Sequence, residues 1–291
     1  HYMSTGEQLV YEGVTATGFF AKVKDFFKNL WQKIKGFFNK FFNVINSYIL
    51  NDKAFVKKYE KALREKSTKD FEYKGYKFTN LDDFNQLQIA GKEIADVMNN
   101  MDKFGSKSAD EVRNLADSLL SNEEKDLDSY RGKLVKKPSV SYDEFSKELY
   151  KHFRDGEDEP TMISNVNISE QLKYISDAKE NIKSAKKDLT EYEKIINKVI
   201  SDLNKIEKEM TKAEDEKDLN AAKSTFIVRD VARAKSKMAI TQTASGAKVS
   251  ALKARNRQAK NICVKVLSYK HEGVDLSSYE ESSLLSNVNF I

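Results

Sequence analysis

The sequence predicts a mainly α-helical protein: a long antiparallel coiled-coil helical hairpin, an N-terminal amphipathic helix, and a small helical region with one short β-hairpin. Three observations carry this expectation. Proline occurs only twice in 291 residues, at Pro138 and Pro160, while charged residues make up 33%, a composition that suits long helices. Large apolar residues recur in steps of three and four between Gly18 and Asn46, which puts them on one broad side of a helix. From Ile175 to Met210 the steps alternate three and four without a miss, the signature of a heptad seam.

In chain order, residues 1–17 are polar and contain glycine, and are expected to form a flexible arm. Residues 18–50 are the amphipathic helix. Its apolar side carries Phe19, Phe20, Val23, Phe26, Phe27, Leu30, Trp31, Ile34, Phe37, Phe38, Phe41, Phe42 and Ile45. Lys22, Lys24, Lys28, Lys33, Lys35 and Lys40 take the other side, opposed only by Asp25. Burying side chains of this size stabilises by roughly 1.5–3 kcal/mol each, so leaving the whole set in water would forgo on the order of 20–40 kcal/mol. This helix must therefore lie against a surface. Three remain open: the chain's own core or a self-association seam, another protein of a larger assembly, or a membrane surface. A transmembrane span is not expected, because no run of 18 apolar residues exists. Gly36 in mid-helix suggests a bend.

Residues 51–160 read as a small, mostly helical region. Phe55, Val56, Tyr59 and Leu63 continue at helical spacing. Phe71–Phe78 alternates aromatic and polar residues around Lys74-Gly75, as a tight hairpin would. Leu81–Met101 and Ala109–Leu120 have helical periodicity, and Tyr130–Ser141, with Gly132 and Pro138, reads as extended. Ser141 to Glu144 has capping-box spacing and opens a helix through Phe145, Leu149 and Phe153. Gly156, Pro160 and the acids between them end it, which places a boundary near residue 160.

The hairpin occupies 161–272, with its turn near Asp215–Asp218 and a polar tail at 273–291. Small residues crowd Ala239–Ala251 on the return helix and would let a neighbouring helix come close. That helix is also lopsided in charge: eleven Lys and Arg between Arg229 and Lys270 face one acid, Asp230. The outgoing helix, with thirteen acids against eleven lysines between Ser169 and Asp218, has too little surplus to neutralise it. Arg229, Arg233, Lys248, Lys253, Arg255, Arg257 and Lys260 are therefore candidates to contact DNA or an acidic partner, the alternative being a solvated face partly paired across the hairpin. No aromatic stacking series or base-reading motif accompanies them, so any nucleic-acid contact would be independent of sequence.

No catalytic or cofactor-binding constellation is expected. The three histidines, His1, His152 and His271, have no partners at metal-ligand spacing, the glycines are scattered singly, and Cys263 falls on an apolar helix face. A lone cysteine excludes an internal disulfide, and no secretory leader is visible in the first residues.

The succession of pieces resembles virion structural proteins, internal or head-associated, of large tailed bacteriophages. The Phe/Trp/Lys helix is followed by Asn51-Asp52-Lys53-Ala54-Phe55-Val56-Lys57-Lys58-Tyr59, and then by Phe71-Glu72-Tyr73-Lys74-Gly75-Tyr76-Lys77-Phe78. Tyr142-Asp143-Glu144-Phe145, Phe153-Arg154-Asp155-Gly156-Glu157 and the long helical hairpin come after. The resemblance implies a non-enzymatic structural role inside the head or at the tail–head region, without cofactor, among other virion subunits or by self-association. Some such proteins lose a propeptide cut after Glu, and Glu12-Gly13 is similar, although Val10 stands where Leu or Ile is usual. On this reading Phe19, Phe20, Phe26, Phe27, Leu30, Trp31, Ile34, Phe37, Phe38, Phe41 and Phe42 dock on other subunits. The alternative is a membrane-active helical protein in the bacterial cytoplasm or at the inner membrane surface, binding anionic bilayers through residues 19–45.

Overall fold

The computed structural model describes residues 16–65, 71–79, 81, 107–135, 141–212 and 217–268. The chain is mainly helical with one small two-stranded antiparallel sheet. The elements are α1 (Ala16–Glu65), β1 (Tyr73–Gly75), α2 (Ala109–Ser121), α3 (Glu123–Gly132), α4 (Tyr142–His152), β2 (Thr161–Ile163), α5 (Ile168–Ser176), α6 (Ala178–Lys212) and α7 (Lys217–Ser268). The expected helix from Leu81 to Met101, apart from Leu81, lies outside the described residues, as do Glu12, Gly13 and the tail.

The two helical pieces read separately after Gly18 are one helix of 50 residues, which passes through Gly36 without interruption. At 1.5 Å per residue, α1 is about 75 Å long. It runs antiparallel to α5 and α6: Lys24 near its start donates to Asn204 and Glu207 near the end of α6, and Arg64 near its end donates to Ser169 on α5. The heptad positions Ile196, Val199, Leu203, Ile206 and Met210 are buried. Their chief partner is α1 and not the return helix, which corrects the simple two-helix hairpin. A one-residue turn at Asp177 also divides the outgoing segment into α5 and α6.

The return helix α7 has 52 residues, about 78 Å at the same rise. One flank of its lower half shares a core with α1 and α5: Phe55, Tyr59 and Leu63 meet Ile168, Leu172, Ile175, Ala259, Ile262 and Leu267. Another flank carries α2, α3 and α4. There Tyr130, Phe145, Leu149 and Phe153 cover Ile240, Ala244, Ala247 and Ala251, so the small residues admit α4. The packing crosses residue 160 freely, with elements from both sides of that position seated on α7.

Several local signals resolve differently from their sequence pattern. Ser141 is the N-cap of α4 but forms no side-chain cap bond. The capping box forms at α2 instead, where Ser108 N–H donates to Glu111 Oε2 at 2.7 Å and Glu111 N–H donates to Ser108 Oγ at 3.3 Å. These bonds hold the Glu111 carboxyl below its usual range. Tyr130–Gly132, expected to be extended, closes α3. The aromatic stretch makes no hairpin of its own: β1 pairs with β2 in the register Tyr73–Ile163, Lys74–Met162 and Gly75–Thr161. Gly75 is there for proximity and not for a turn, because a β-carbon on it would fall 2.5 Å from Gln258 Oε1. Gln258 on α7 clamps the strand by accepting from Tyr76 N–H at 2.9 Å and donating to Tyr76 O at 2.7 Å.

Two outcomes test this packing. Phe27→Ala should cost about 3–5 kcal/mol in urea unfolding, because the ring is fully buried; a cost within about 0.5 kcal/mol, the range of a surface substitution, would mean that α1 does not lie on α6. Burial raises the Cys263 thiol from 9.0 to about 12, so it should resist a disulfide reagent at neutral pH until the chain unfolds. Since the unfolded thiol ionises first, its contribution to stability is intact below the unfolded pKa and declines as pH rises towards the folded value.

Candidate interaction surfaces

Three surfaces bear on function: the apolar side of α1, the cations of α7, and a groove between α4 and α7. The apolar side of α1 is engaged by its own chain where it can be followed. Phe19, Phe20, Val23 and Phe27 are buried, with Phe19 set edge-on to Phe20 at 5.3 Å and Phe26 edge-on to Phe27 at 5.4 Å. Phe26 and Trp31 keep partial exposure. Of the three surfaces left open by the sequence, Phe19, Phe20 and Phe27 meet the first, their own chain. The physical reason is the open seam of α6, which needs an apolar cover and receives it from α1. The side chains of Leu30, Ile34, Phe37, Phe38, Phe41 and Phe42 lie outside the described residues.

The cations of α7 are largely answered from within. Arg229 pairs with Asp117 on α2 at 2.6 Å. Arg233 and Lys237 converge on Asp126 of α3 at 2.6 and 2.9 Å. Lys260 pairs with Asp52 of α1, which also accepts from Asn256 at 2.9 Å. Arg255 is buried and stacks over Tyr174 at 4.4 Å. Lys248 and Lys253 are half-buried, and Arg257 is exposed. Burial first, and then the Arg257 charge, pull the Lys253 ammonium below its usual range.

The acids that answer Arg229, Arg233, Lys237 and Lys260 thus come from α1, α2 and α3. The signal was present in the sequence: 109–128 contains Asp110, Glu111, Asp117, Glu123, Glu124, Asp126 and Asp128 against Arg113 and Lys125. Placing those acids on the return helix required the tertiary fold. The pairing continues at the start of α7, where Arg113 of α2 bridges to Asp218.

The groove between α4 and α7, about 770 Å³, opens over Thr243, Gly246 and Ser250, with Lys147, Tyr150 and Arg154 on its wall. The Arg154 guanidinium lies between the rings of Tyr76 and Tyr150, at 4.5 and 4.7 Å from their centres. Burial raises the Tyr150 phenol, and the Arg154 charge opposes that shift. Asp158 on the rim is engaged by Lys151 at 2.6 Å. Sequence reasoning did not find this groove, because it depends on the approach of α4 to the small residues of α7.

Among the described residues, no group of His, Cys, Asp or Glu could hold a metal ion, and no helix is long and apolar enough to cross a membrane. Comparison with protein-family models, curated proteins and solved structures finds no match.

Removing one shared acid tests the internal pairing. Asp126→Ala takes their shared carboxylate from Arg233 and the buried Lys237, and should cost roughly 3–5 kcal/mol in chemical unfolding. Adding Lys237→Met should recover part of that loss, whereas independent additive costs would show that the two side chains do not interact.

Proposed function

We propose that this chain is a non-enzymatic structural protein of a tailed-phage virion, working as a stiff helical strut among other subunits of the particle. The observation that carries the reading is the convergence of the segments that resemble such proteins. They are far apart in sequence yet gather along α7. Asp52 meets Asn256 and Lys260, Tyr76 is held by Gln258, and Phe145 and Phe153 pack with Ala247 and Ala251. Arg154, from the last of these segments, stacks on Tyr76 from an earlier one. Pieces that share one seat form one architectural unit, so their likeness to virion proteins is coherent in space as well as in order.

Docking on neighbours through the whole apolar side of α1 is not part of this reading, since Phe19, Phe20 and Phe27 are consumed by α6. Phe26 and Trp31, which keep partial exposure, remain to meet another subunit. The bilayer alternative requires α1 to peel away from α6, exposing the seam Ile196–Met210 at a cost that the membrane would have to offset.

The test is mass spectrometry of particles purified through a density gradient and washed in high salt. The chain should persist at a fixed ratio to the major capsid protein, and cross-linking should join it to other virion subunits. Its loss on washing, or recovery only from the host cytoplasm or membrane fraction, would overturn the assignment.

A further inference from the structure

The outer side of α1 differs in kind from the basic helix α7. Lys22, Lys28, Lys33, Lys35, Lys53, Lys57 and Lys61 are all exposed. Their spacings keep them on one broad face: Lys28 and Lys35 are seven apart, Lys22 and Lys33 eleven, and Lys53, Lys57 and Lys61 successive fours. The residues buried on the opposite face, Phe20, Val23, Phe27, Phe55, Tyr59 and Leu63, fix which way the lysines point. Acids on this side are few. Asp25 approaches Lys28 at 3.6 Å and Glu60 is taken by Arg64 at 2.8 Å. Among the described residues no other carboxylate forms an ion pair with these seven lysines.

We propose that this lysine face of α1 binds the phosphate backbone of duplex nucleic acid without reading its sequence. From Lys22 to Lys61 the face runs about 58 Å along a helix rising 1.5 Å per residue, the length of roughly 17 base pairs at 3.4 Å each. A phosphate backbone asks only for cations at its own spacing, and neutralising it releases counterions whatever the base sequence. A lipid surface asks in addition for apolar side chains that can enter it, and on α1 Phe19, Phe20, Val23, Phe27, Phe55 and Leu63 already lie in the core. The cations of α7 are poor candidates for the same task, since Arg229, Arg233, Lys237 and Lys260 would each have to abandon a carboxylate. The proposal stands on the charge distribution and not on the particle assignment, so either can fail without the other.

The experiment is fluorescence anisotropy with the full chain and two unrelated DNA duplexes of about 30 base pairs, titrated across salt. Both should bind alike, with log K falling against log salt at a slope of about −4 to −6, so that raising salt fourfold weakens binding by roughly 250- to 4,000-fold. The quadruple variant Lys33→Gln, Lys35→Gln, Lys57→Gln, Lys61→Gln should flatten the slope by about one unit for each phosphate it no longer neutralises. Circular dichroism should show its helix content unchanged. Lys208→Gln with Lys212→Gln, exposed on α6, should leave the slope where it was. No binding at low salt, a slope that the quadruple variant does not change, or binding to phosphatidylserine vesicles without binding to duplex would each overturn the proposal.

Discussion

A helix with apolar residues around much of its circumference has little solvent face to spare, and α7 is such a helix. Phe226 and Ile227, Ile262 and Cys263, and Val266 and Leu267 are buried as adjacent pairs, whereas neighbours on a helix point about 100° apart. One amphipathic partner cannot cover so wide an arc. The chain therefore supplies two sets of cover: α1 with α5 on one flank, and α2, α3 and α4 on the other. The β1–β2 ladder and the Gln258 clamp tie the flanks together at the same level of α7. That demand for cover also explains the small residues between Ala239 and Ala251, since a large side chain at Ala244, Ala247 or Ala251 would hold α4 away from α7.

Once α7 is committed to these partners, α6 is left with its seam Ile196–Met210 and little of α7 to place it on. The antiparallel match of α1 to α5 and α6 follows. The two runs are of similar length, and Lys24 with Glu207 at one end and Arg64 with Ser169 at the other hold one register. Phe19, Phe20 and Phe27 are thus core residues of the bundle. The consequence for function is that α1 offers its lysine side outward, so a partner that recognises charge has access where one that would need Phe19, Phe20 or Phe27 does not.

The buried heptad positions Ile196, Val199, Leu203, Ile206 and Met210 and the helical course of α1 were legible because periodicity is local. Their partnership was not, because a heptad pattern states that a helix needs a companion without saying which. The same limit explains β1. Alternating aromatics around Lys74-Gly75 announce a strand, but the pairing with Thr161–Ile163 is set by residues some ninety positions away, and the reason for Gly75 sits on α7. Helix α3 gives little periodic signal because Glu123–Gly132 is mostly charged, with Leu127 and Tyr130 as its apolar contributors. Two Ser-x-x-Glu signals with equal spacing gave opposite results at Ser108 and Ser141, so spacing alone did not decide whether the box closed.

Charge follows the same logic as apolar surface. Eleven cations against one acid made α7 look like a polyanion-binding helix when counted along the sequence, but the relevant balance is spatial. Asp117, Asp126 and Asp52 arrive from three other helices and engage Arg229, Arg233, Lys237 and Lys260. Drawing Lys260 out to a phosphate would leave the buried Asp52 carboxylate without that partner, a loss of several kcal/mol, whereas an exposed lysine on α1 surrenders at most a surface pair worth about 0–1 kcal/mol. Competition between an internal acid and an external one is therefore settled by burial, and the helix with the larger formal charge is the one with less of it to offer.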